Sequence, residues 1–152
     1  MDFECAKKAK ISLTTLAFFF FCLVISDCLS AQDIRIFPEN LKREKGGMIL
    51  VGLYNSAAGF PDNPAKILKS VSFRPSDSFV LQDIPPGRYA LVLLHDLDGN
   101  KKMTYSFMGI PRDGFSSSPD GGSPFSKPVF EKASFQHGEK GTVLKLKFHY
   151  LP

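Results

Sequence analysis

Two segments, residues 48–54 (MILVGLY) and residues 88–95 (RYALVLLH), are apolar at odd and even positions alike, and this restricts the fold more than any other feature of the chain. Both are bounded by turn formers: Gly46 and Gly47 precede the first, Asn55 and Ser56 follow it, and Pro85, Pro86 and Gly87 precede the second. Runs this short between glycine and proline read as strands, and a strand apolar on both faces has to be covered from both sides. The other strands are half-wet. Residues 33–38 alternate, with Ile34 and Ile36 on one side and Arg35 and Phe37 on the other. Residues 71–73 and 78–84 follow, with Phe79, Leu81 and Ile84 as apolar contacts. Residues 142–150 set Val143, Leu144, Leu146, Phe148 and Tyr150 against Lys145, Lys147 and His149, the pattern of a sheet with one face in water. Only AKILKS after Pro64 suggests a helical turn, with proline at a favourable start.

About seven short strands, with turn signals roughly every eight to twelve residues, define an all-β chain. The expected fold is an antiparallel β-sandwich, immunoglobulin-like or transthyretin-like. The chain has no Trp, which excludes the antibody version with its Trp packed on a disulfide. Residues 116–128 (SSSPDGGSPFSKP) read as a long polar loop and the expected mobile region.

Residues 1–30 read as an export signal, because Lys7, Lys8 and Lys10 precede an apolar run from Ile11 to Ile25, and Cys28 and Ser30 stand where a signal peptidase reads before Ala31. The run is shorter than the ~20 residues of a membrane-spanning helix. The expected mature chain is residues 31–152, a single domain with no transmembrane segment, in the periplasm or secreted. A retained anchor is one alternative. Attachment to the outer membrane through a lipid on Cys28 is another, opposed by the charged Asp27 where such signals want a small neutral residue. All three cysteines, Cys5, Cys22 and Cys28, lie in the leader, so the mature domain has no disulfide, thiolate nucleophile or cysteine ligand. The net charge of +4 is spread among acids, and only Lys42, Arg43 and Lys45 cluster, with Glu44 between them. Nucleic-acid binding needs a concentrated basic face, and no nucleic-acid partner is expected.

Most of the local chemistry lies in residues 89–115. Asp96, Asp98 and Asn100 offer oxygens at alternate positions, like the opening of a calcium loop. An EF-hand would next need glycine at 101 and an acid at 107, where this chain has Lys101 and Phe107. Asp113 or Glu131 could bring a further carboxylate through the fold, while Lys101 and Lys102 oppose a dication. The competing expectation is a tight turn at Asp98 and Gly99, with Asp96 and Asn100 bonding nearby backbone. His95 and Asp96 are adjacent on a strand and so point to opposite faces, which denies them an acid–base pairing. Ser116, Ser117 and Ser118 form no nucleophile elbow. No residue is assigned as catalytic, and His95 is expected to bond a backbone carbonyl in its loop. His137 and His149 have no zinc-ligand spacing. Phe107, Met108, Phe115 and Phe125 lie among Gly, Pro and Ser, and are expected to fold inward and cap one end of the sandwich. The alternative is a contact surface.

The successive stretches PPGRYALVLLHD, DGN, MGIPRDGFS and PVFEKASF resemble the motifs of a bacterial family of exported proteins, domain of unknown function 2141, over roughly Gly46 to Tyr150. The resemblance implies a secreted or periplasmic β-sandwich and carries over no catalytic residue. In the family loop, His95, Asp96, Asp98, Gly99 and Asn100 match, but Lys101 stands at a glycine position and Thr104 at an acid position. The expected function is a noncatalytic binding or structural module of the envelope, meeting an unknown protein or polymer. Its binding loops would use His95, Phe107, Gly109, Pro111, Phe115 and Phe125. A calcium-stabilised sandwich using Asp96, Asp98, Asn100 and Asp113 is the first alternative. A hydrolase using His95 with Asp96, Asp98 or Asp113 is the second.

Overall fold

The computed structural model describes residues 31–152, so the expected export segment, Cys28 included, lies outside the described residues. Eight strands form two sheets. In the first, β1 (Gln32–Glu39) lies between β4 (Phe79–Ile84) and β8 (Thr142–Lys147). In the second, β2 (Met48–Tyr54) and β5 (Gly87–Asp96) are central; β3 (Lys69–Phe73) flanks β2, while β6 (Gly114–Ser117) and β7 (Ser134–His137) flank β5. The turn after Asn63 is a single 3-10 turn, Pro64–Lys66. Among the described residues no helix is long and apolar enough to cross a membrane.

The two doubly apolar strands are covered on both faces, by different means. Inward, Ile49, Val51 and Leu53 of β2 and Tyr89, Leu91 and Leu93 of β5 pack against Ile34, Ile36, Phe79, Leu81, Leu144, Leu146 and Phe148 of the facing sheet and its extension. Outward, Tyr54 and Ala90 meet Phe130 and Ala133 of the short helix α1 (Phe130–Ala133), with Phe60 and Ile67 of the β2–β3 connection packed alongside. Tyr54, Phe60 and Phe130 stack edge to face, with centroids 5.2 and 5.8 Å apart. Loop segments and one helical turn thus supply the second cover.

The expectation of an antiparallel sandwich needs one amendment: β1 and β8 run parallel, from Ile34 opposite Thr142 to Glu39 opposite Lys147. The physical requirement for a parallel pair is a long crossover, and here nearly the whole domain intervenes between the two strands. Strand order also separates the two expected architectures. The immunoglobulin arrangement puts its first and second strands in one sheet, whereas β1 and β2 lie in different sheets. Val143, read with the apolar side of the last strand, is 63% exposed beside the lysines of the wet face. Leu146 near the end of β8 and Phe148 just beyond it are fully buried, and His149 exchanges backbone hydrogen bonds of 2.8 and 3.0 Å with Phe115, which ties the two sheets together.

The expected polar loop at 116–128 begins as strand. Ser116 and Ser117 belong to β6, and Ser118 is 1% exposed. β6 pairs with Val92–His95 and β7 with Gly87–Ala90, so the two are halves of one edge strand interrupted by residues 119–133. At the break the Ser118 N–H donates to the Leu91 carbonyl (3.1 Å), and the Leu91 N–H donates to Ser118 Oγ (2.8 Å). The same hydroxyl donates to the Ala133 carbonyl. A side-chain oxygen therefore stands in for the ladder carbonyl that the interruption removes. Serines in sequence show no strand alternation, which is why these residues read as loop. Ser118→Ala is expected to cost about 1–3 kcal/mol, since it leaves the Leu91 N–H buried without an acceptor; a urea unfolding curve superimposable on the parent would contradict this role.

Candidate functional site

The excursion from β5 to β6 builds three things in turn: a buried histidine, a carboxylate-braced turn and a protruding hairpin. His95 sits on the inner face of β5, opposite Ile49 on one side and Gly114 on the other, and is fully buried. Its Nε2 lies 2.6 Å from the Gly46 carbonyl and its Nδ1 2.7 Å from the Tyr150 hydroxyl. A carbonyl only accepts, so Nε2 carries the proton, and in the neutral ring Nδ1 accepts from Tyr150. The Tyr150 oxygen in turn accepts the Lys42 N–H at 3.1 Å. Burial pushes the Tyr150 phenol above its ordinary value. His95 does find a backbone carbonyl, but it belongs to the approach to β2 rather than to its own loop. Counted in the expected binding-loop set, it is instead sealed in the interior with both ring nitrogens engaged. Gly114 makes this possible, because a Cβ there would lie 2.2 Å from Tyr150 Cε1.

The turn that follows is held by its own carboxylates. Asp96 Oδ1 accepts from Gly99 N–H (2.9 Å) and Oδ2 from Lys101 N–H (3.0 Å). Asp113 Oδ1 accepts from Leu97 N–H (3.3 Å) and Oδ2 from Thr104 N–H (2.8 Å). Asp98 accepts from the Asn100 backbone N–H, the Asn100 amide and the Thr104 hydroxyl, at 3.1, 3.0 and 3.0 Å. The Asn100 N–H holds the Asp98 carboxyl below its ordinary value. Asn100 Oδ1 accepts the Lys102 N–H at 2.7 Å. The donors a calcium loop would recruit thus bond the peptide groups of the turn, and among the described residues no three acidic, histidine or cysteine side chains gather as a metal centre. Glu131 lies towards the other end of β5, its carbonyl near Arg88. In this arrangement the oxygens of Asp96, Asp98, Asn100 and Asp113 are taken up by the turn's own N–H and hydroxyl groups. Melting midpoints in millimolar calcium and in chelator are accordingly expected to coincide; a rise with calcium would restore the ion.

Lys101, where the resemblance implies a glycine, has φ 61°, the left-handed conformation glycine adopts freely, so the lysine carries the strain. Lys101→Gly is expected to stabilise the domain by up to ~1 kcal/mol, seen as a higher urea midpoint with unchanged m-value.

Beyond Thr104 the chain forms a small hairpin. Tyr105 bridges Pro111, Arg112 N–H donates to the Thr104 carbonyl (2.8 Å), Ser106 N–H to the Ile110 carbonyl (2.8 Å), and Gly109 N–H to the Ser106 carbonyl (2.9 Å). Gly109, with φ 75°, completes the turn. At the apex Phe107 is 96% and Met108 67% exposed, and Phe125 in the 119–129 loop is 89% exposed. The expected inward capping is therefore overturned for these three: the hairpin closes on its own backbone bonds and leaves its central side chains outside the fold. Phe115 is half-buried on β6 against His149, with ring centroids 5.7 Å apart, and Pro111 is half-buried on the hairpin's return. Of the expected loop set, Phe107, Gly109 and Pro111 share one hairpin, while His95, Phe115 and Phe125 lie elsewhere. Tyr150 and Ser118, which help hold this region together, carry no sequence motif, and Gly114 stands in the stretch MGIPRDGFS with no sign there of its contact to Tyr150.

Over the described residues, which hold no cysteine, fold and site together define a β-sandwich with a braced turn and an exposed aromatic hairpin at one excursion. The chain belongs to the family domain of unknown function 2141, described as an uncharacterized protein conserved in bacteria, whose match spans residues 39–145. No curated protein and no solved structure matches the chain.

Proposed function

We propose that this is a noncatalytic exported domain that binds a component of the bacterial envelope, protein or polymer, through the loops following β5 and β6. The observation that carries the reading is the exposure of Phe107 and Phe125, at 96% and 89%, beyond a turn whose buried carboxylates, Asp96 and Asp113, are bonded to its own N–H groups. Large apolar side chains held in water lower the cost of association when covered, and aromatic residues supply much of the energy of contact surfaces. The engagement of both His95 ring nitrogens, and the burial of that ring, speak for a structural histidine over a hydrolytic one. A photo-crosslinking phenylalanine analogue placed at 107 or 125 in the full chain, in living bacteria, tests the reading. Discrete adducts are expected from these sites and none from the wet-face position 145. Absence of adducts at both loop positions would overturn it.

A further inference from the structure

We infer that the hairpin apex, Phe107 and Met108, inserts into the surface of an anionic lipid bilayer, with Lys101, Lys102 and Arg112 meeting the head groups. The inference rests on the proposed loop-binding reading only in taking this hairpin as a contact surface; it names what the surface contacts. Three observations point to lipid. The apex is small: two side chains of this kind present on the order of 200 Å² each, well short of the roughly 800 Å² per partner of a stable protein interface, whereas a bilayer receives an apolar wedge without a matching pocket. The charge is complementary, because residues 99–112 hold Lys101, Lys102 and Arg112, all exposed, and no acid. None of the three is in an ion pair among the described residues. The nearest acids along the chain are Asp98, exposed and bonded to Asn100 and Thr104, and Asp113, buried and bonded to Leu97 and Thr104. An apolar tip flanked along the chain by exposed basic residues is the pattern that interfacial membrane contact favours. Finally, the hairpin is built before it binds, closed by its own backbone bonds, so little ordering is lost on insertion.

The chain has no Trp, so Phe107→Trp in the full chain introduces a single fluorophore that reports on the apex whatever other segments do. With vesicles containing phosphatidylglycerol, its emission is expected to shift to the blue and to be quenched by spin-labelled lipid. With phosphatidylcholine alone, the affinity should fall about tenfold. Adding Lys101→Glu and Lys102→Glu should weaken insertion by a similar factor or more, each basic residue near such a surface contributing on the order of a fivefold effect. Phe125→Trp gives the comparison site. A tryptophan at 107 that stays water-exposed on anionic vesicles would overturn the inference. If position 107 then still crosslinked to a protein or polymer in cells, the loop-binding reading would stand without lipid. Loss of both signals would remove both.

Discussion

His95→Ala is expected to lower the free energy of unfolding by about 3–5 kcal/mol, a large part of what holds a domain of this size folded. The ring is wholly buried, so its removal opens a cavity bordered by Phe148 and Tyr150, whose rings stand edge to face with it at centroid distances of 6.5 and 5.9 Å. It also leaves the Gly46 carbonyl and the Tyr150 hydroxyl without their partner. An orphaned buried polar group costs roughly 1–3 kcal/mol by itself, and the cavity adds to it. Tyr150→Phe separates the contributions: it keeps the ring packing and deletes the two bonds of the hydroxyl, to His95 and from the Lys42 N–H, with about 1–3 kcal/mol expected. Urea denaturation of the three proteins is the measurement. A His95→Ala midpoint equal to the parent's would mean that the histidine is not part of the fold's support.

Gly114→Val is expected to cost of order 3 kcal/mol, through crowding rather than loss. The added Cβ would lie 2.2 Å from Tyr150 Cε1 and 2.6 Å from its Cζ, closer than non-bonded carbons approach, so the ring must leave its place over the strand. That movement has a signature that simple destabilisation lacks. Burial holds the Tyr150 phenol above the ordinary tyrosine range, and a ring pushed towards water titrates closer to about 10. The absorbance titration of the variant should therefore begin at lower pH than the parent's. An unchanged titration together with unchanged stability would show that the ring does not depend on the glycine opposite His95.

His95 and Gly114 stand in the stretches PPGRYALVLLHD and MGIPRDGFS, but neither stretch points to their shared partner, Tyr150, which reads as the apolar end of an alternating strand. Their partnership spans residues far apart in the chain, and it arises because the last strand leaves its parallel pairing with β1 and crosses to Phe115 of β6. Ser118 is a similar case: its hydroxyl serves the ladder only because the edge strand is broken at that point. The exposure of Phe107 and Phe125 was likewise open in sequence, where an aromatic among Gly, Pro and Ser fits a cap as well as a contact.

By itself, the sequence determined the all-β class, the central places of β2 and β5, and the Asp-braced turn. Each of these follows from interactions between near neighbours or from the period of apolar residues, and both are written along the chain. Only the tertiary structure decided the parallel closure of the first and last strands, the second cover on the outer face of β5, and the burial of His95. Those depend on which distant segments fill a given volume, and close packing, which selects among the candidates, has no local signature.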